Sequence, residues 1–252
     1  MKHKIKSWIK EFVVLIRSVP PTSLSIFILA VLLMNLLANK SLNLSLNWLA
    51  LDCGIIVSWV AFLCMDLLTK HFGPKAATQI SIFAIVVNLC ACLILYLASL
   101  IPGTWGAFYD FGENPVINSA LNGTFGGVWY VVIGSTIAFI TSAAINNFSN
   151  WWIGKAFHKN PDGYMAYACR TYLSTAVGQF ADNLVFALLV SHIFFGWSIL
   201  QCITCSVTGM IVELIIEMIF SPFGFKVCGK WKEKNVGKEY FEYLERKNRS
   251  EL

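Results

Sequence analysis

The stretch that decides the fold is Ala76–Ile101, AATQISIFAIVVNLCACLILYLASLI, which contains no Asp, Glu, Lys or Arg. An uncharged apolar run longer than the ~20 residues that cross a bilayer core reads as a transmembrane helix. Working outward, Trp48–Leu68 and Ser23–Ala38 precede it, and Phe125–Phe148, Thr171–Phe195 and Trp197–Phe220 follow, for six spans in all. The whole chain agrees: 57% of its 252 residues are hydrophobic and 13% charged, against about 25% charged in soluble domains. Too little polar surface remains to coat a water-soluble enzyme. The expected fold is an all-α membrane protein with six transmembrane helices.

Charge orients it. Of the 19 basic residues, 18 fall on alternate connections, with Lys40 the exception, so the positive-inside bias places both termini in the cytoplasm. The first twenty residues carry Lys2, Lys4, Lys6, Lys10 and Arg17 against apolar residues at helical spacing, the pattern of an amphipathic helix on a membrane surface. A signal peptide is the competing reading, but Ser23–Ala38 has no small-residue cleavage site and further spans follow it. The organisation expected is therefore 1–20, an amphipathic cytoplasmic helix; 21–221, a six-span transport domain; and 222–252, a basic cytoplasmic tail. Six spans with both ends inside are compatible with two inverted three-helix halves, although no internal sequence match marks a repeat. Pro102–Thr124 reads as the one long external loop.

Acids inside the spans are the informative residues, because a lone charge in hydrocarbon costs several kcal/mol and faces a cavity or a partner. Asp52 and Asp66 sit at the two ends of span two, Asp182 is near the middle of span five, and Glu213 and Glu217 lie in span six, with no lysine or arginine at comparable depth. Thr175, Gln179, Asp182 and Phe186 share one helical face. That face has the groups of a ligand wall; the bland alternative is interhelical hydrogen bonding. Asn35 and Asn39 at the end of span one add amides suited to a neutral heterocycle, and Trp59, Phe62 and Trp129 add rings that can stack on a flat ligand; all are equally suited to packing.

Other chemistries find no support. Gly224, Gly229 and Lys230 spell G-x-x-x-x-G-K, but Trp231 stands where the magnesium-holding hydroxyl belongs. Cys202 and Cys205 form a lone C-x-x-C inside a span and read as packing residues, and the four histidines have no metal spacing. No cofactor, metal or nucleic-acid partner is expected. Gly123 and Gly127 form a small-x-x-x-small pair that permits close helix contact, within one chain or across a homodimer.

Three segments carry a family likeness: ANK at Ala38–Lys40, FLCMDLLTKHFGPKAA at Phe62–Ala77 and CRTYLSTAVGQFADNLVFALL at Cys169–Leu189. In that order they make the chain, from about Asn35 to Pro222, resemble the bacterial queuosine precursor transporters of the vitamin uptake transporter family. Asp66, Thr69 and Gly73 match the D-x-x-T-E-x-Y-G pattern that the likeness leads one to expect, while Lys70 and Phe72 depart from it. The span-five residues Arg170, Ser174, Gln179, Asp182 and Phe186 match as well. The resemblance implies a bacterial inner-membrane importer of 7-deazaguanines such as preQ0, preQ1 or queuine, for tRNA modification. On that reading Asp182, Gln179, Asp52, Glu213, Asn39, Phe186 and Trp59 bind substrate, and Arg170 and Asp66 gate the cytoplasmic side. The rival is a substrate-binding membrane subunit served by a separate ATPase module, since this chain has no nucleotide site; an intramembrane enzyme lacks a nucleophile and base to work with.

Overall fold

The computed structural model describes residues 2–42, 44–105, 115–156 and 164–251. These are helical almost throughout: α1 (Lys2–Ser18), α2 (Pro21–Ala38), α3 (Ile55–Phe72), α4 (Pro74–Ser99), α5 (Pro115–Gly126), α6 (Trp129–Ala156), α7 (Tyr164–Phe186), α8 (Ile193–Phe195), α9 (Ile199–Glu233) and α10 (Lys238–Glu251). A π-helical turn, Ala187–His192, carries α7 into α8. No strand occurs among the described residues; one isolated antiparallel bridge joins Ser41 and Asp52. Six segments are long and apolar enough to cross a membrane: Pro21–Ala38, Ile55–Phe72, Pro74–Ser99, Val116–Asn146, Tyr172–Phe195 and Ile199–Phe220.

Local sequence explains the helix boundaries. Proline opens α2, α4 and α5, at the position where its missing N–H costs nothing. Between α3 and α4 the whole connection is Gly73, whose φ of 90° is left-handed backbone that a side chain disfavours. Gly73-Pro74 thus both stops one span and starts the next.

Burial in α4 is inverted relative to a soluble helix. Gln79, Ser81 and Asn88 are buried, whereas Ile82, Val86, Leu93, Ile94 and Leu97 are exposed. Water would make such a surface unstable; lipid makes it the favoured one.

Two compact units divide the chain. The first comprises 1–32, 57–88 and 217–252. Its α1 and α10 pack together: the Tyr243 hydroxyl reaches the Ser7 carbonyl at 3.5 Å and Lys10 Nζ lies 6.0 Å from the Tyr243 ring. Glu11 is the hub, its side chain 1% exposed, with Lys75 Nζ at 2.5 Å and Lys247 Nζ at 2.8 Å on its two oxygens. Burial alone would raise the Glu11 carboxyl, but the hydrogen bonds and charges of Lys247 and Lys75 hold it below the ordinary value. The G-x-x-x-x-G-K segment of this unit lies inside continuous helix α9 and forms no phosphate loop.

The second unit comprises 33–56 and 89–216. Part of the segment expected as an external loop is helix here: α5 covers Pro115–Gly126, and Trp105 is fixed on it by hydrogen bonds to Asn118 (3.3 Å) and Asn122 (3.1 Å) and by its ring against Phe125. Polar residues that read as loop are the ones that hold this helix. Cys202 is buried in an apolar cluster with Ala50, Ala187 and Trp197, Cys205 packs against it, and both thiols are free.

Candidate functional site

The second unit gathers most of the candidate residues. From α7 come Gln179, Asp182 and Asn183, from α6 Ser142 and Asn146, from α9 Glu213, and from the connection before α3 Asp52. Helical geometry puts Gln179 one turn from both Asp182 and Asn183. Across from them, Gly209 of α9 faces Asn183 so closely that a Cβ there would lie 2.7 Å from Asn183 Nδ2. The absent side chain lets α7 and α9 approach, and Asn183 Nδ2 then donates to Glu213 Oε2 at 3.4 Å, one turn further along α9.

Asp182 has the Ser142 hydroxyl as its hydrogen-bond partner. Glu213 is 6% exposed and feels the charges of both Asp182 and Asp52. Asp52 Oδ1 accepts the Gly54 N–H at 2.7 Å. Its carboxyl is pushed up to about 6, since burial outweighs the backbone N–H groups that favour the ionised form. No lysine, arginine or histidine makes an ion pair with Asp52, Asp182 or Glu213 among the described residues. Two further acceptors point the same way: Gln179 Oε1 and Asn146 Oδ1 are buried without a hydrogen-bond partner.

Other candidates lie elsewhere or are occupied. Asn39 uses both ends of its amide, Oδ1 accepting the Tyr130 hydroxyl and Nδ2 donating to the Thr124 carbonyl at 3.1 Å, so it ties α2 to α5 and α6. Phe186 packs against the cluster of Ala38, Val131 and Val190. Trp59 and Asp66 belong to the first unit, where Trp59 stacks on Phe220 with ring centres 5.0 Å apart. Arg170 lies in α7, and its side chain is outside the described residues. Sequence reasoning overlooked Ser142 and Asn183. For Asn183 a signal existed, because Gly209 and Glu213 are one turn apart and a small residue beside an acid marks a close helix contact.

A six-span helical membrane protein with a cluster of acids that, among the described residues, makes no ion pair with a base is the class that the fold and these residues define. Residues 52–227, well over half of the chain and including Asp52, Gln179, Asp182 and Glu213, match the family model described as "putative vitamin uptake transporter". The chain belongs to the vitamin uptake transporter family. No curated protein and no solved structure matches it.

Proposed function

We propose that this protein imports a queuosine precursor, a 7-deazaguanine such as preQ0, preQ1 or queuine, across the bacterial inner membrane for use in tRNA modification. The observation that carries the reading is the cluster of unmatched acceptors around Gln179 and Asp182 within the family-matched region. A guanine-type edge offers an N1 hydrogen and an exocyclic amine side by side, and one carboxylate accepts both. Asp182 takes that edge, Gln179 supplies a further acceptor, and Glu213 and Asp52 complete the polar wall. Arg170 and Asp66 are assigned to gating at the cytoplasmic side, with both chain termini in the cytoplasm.

Uptake of labelled preQ0, preQ1 and queuine in cells lacking both synthesis and native transport tests this. Expression of the protein should restore accumulation of at least one of them and of queuosine in tRNA. Accumulation no greater than in cells with empty vector, for all three, would overturn it. Reporter fusions at Leu252 and within 102–124 should land on opposite sides of the membrane; the same side for both would break the topology.

A further inference from the structure

We infer that the site selects a solute bearing a positive charge, a protonated amine on a flat heterocycle, over a neutral one of the same shape. The inference rests on the reading above and narrows its substrate class.

Three carboxyl groups, Asp52, Asp182 and Glu213, belong to one compact unit and act on one another through Glu213. Among the described residues the donors that reach them are neutral: the Gly54 and Asp52 N–H groups on Asp52, the Ser142 hydroxyl on Asp182 and Asn183 Nδ2 on Glu213. The basic residues of this unit are Lys40, Lys155, Lys159 and Arg170. Lys40 and Lys155 are exposed, and the Arg170 backbone stands three helical turns before Asp182 on the same helix, about 18 Å along its axis. Among the described residues no basic side chain forms an ion pair with these acids.

A second observation is independent of the acids. Gln179 is 8% exposed and its Oε1 has no partner, one turn from Asp182 and Asn183. A buried acceptor left bare costs free energy, and so does a carboxylate in low dielectric without a cation. One ligand rich in donors and carrying a positive charge satisfies both. A neutral analogue that ends in an acceptor, such as a nitrile, would place lone pairs against lone pairs. Among 7-deazaguanines the aminomethyl base preQ1 and the secondary amine queuine meet the requirement, and the nitrile preQ0 does not.

The test is equilibrium binding to purified full-length protein in nanodiscs at pH 7.5, with preQ1, queuine and preQ0, and with thiamine and riboflavin as a cationic and an uncharged heterocycle outside the class. The expected result is at least tenfold tighter binding of preQ1 or queuine than of preQ0. Glu213→Gln, checked for an unchanged melting profile, should shrink that preference to threefold or less, whereas Asp182→Asn should weaken all three deazaguanines alike. Equal or tighter binding of preQ0 in the wild type would overturn the inference while leaving the substrate class standing. Binding of thiamine without any deazaguanine would uphold charge selection and overturn the class. Binding of none of the five would overturn both.

Discussion

Glu11 in the first unit and Glu213 in the second are both buried glutamates, and they are treated oppositely. Glu11 has two lysines from two different helices on its two oxygens. Glu213 has one amide nitrogen at 3.4 Å and two other acids as electrostatic neighbours. Burying an ion is costly unless its charge is matched, so Glu11 is a finished structural device, complete within the protein. Glu213 is unfinished, and the missing charge must come from a proton or a ligand. The contrast separates acids that hold the fold from acids that wait for something.

The sharpest way to break that contrast is Asp182→Asn. Asparagine keeps the shape but cannot accept two donors at once, and losing a charge-assisted contact of about 2 kcal/mol corresponds to roughly thirtyfold in affinity. Uptake should fall to background while the melting temperature holds or rises. Persistent uptake would make Asp182 a packing residue.

Lys247→Met should do the reverse. It leaves Glu11 buried with Lys75 alone, at a cost of about 2 kcal/mol, below the 3–5 kcal/mol of a fully stripped buried ion. A thermal-shift assay should show a lower melting temperature, and uptake per folded molecule should keep its KM. Glu11→Gln added to Lys247→Met should recover part of the loss; failure to recover any would remove the charge argument. The pH response has a definite sign as well. The Glu11 carboxyl is held below 4.5, so its contribution is complete above that value and disappears as pH falls through the lowered one. Proteolysis of α10 should therefore accelerate in acid.

A smaller effect is expected at Asp52, whose charge acts on Glu213 and Cys205. Because its carboxyl titrates near 6, lowering pH from 7 to 5 should neutralise it and weaken binding of a cationic substrate about threefold, with the step abolished in Asp52→Asn. A pH profile unchanged by that substitution would assign the titration elsewhere. Smallest of all is Gly209→Ala. The added methyl displaces Asn183 and should raise KM about twofold without changing expression.

The sequence makes the spans legible because hydrocarbon imposes one requirement, a long run without charge, that nothing else in a chain imitates. Gly73-Pro74 is equally plain. The helix α5 is hidden, since Asn118, Asn122, Gly123 and Thr124 have the composition of a loop and become helical through Trp105, a partner ten or more residues away. Asp182 and Gln179 stand out by depth alone. Asn183 and Ser142 do not, because an amide or hydroxyl in a span announces nothing until its partner is known. Glu11, the sole acid among the basic residues of the first helix, looks like surface charge until Lys75 and Lys247 are brought to it.

Synthesis proceeds from the N-terminus, and Lys247 follows Glu11 by 236 residues. At ordinary elongation rates of 5–20 residues per second, Glu11 exists for roughly 12–50 s before its second lysine has been made. Lys75 arrives early; the closing contact arrives last. The first helix is thus held by Lys75 alone until α10 has been made. A chain that stops before Lys247 leaves the buried Glu11 carboxylate with one of its two lysines.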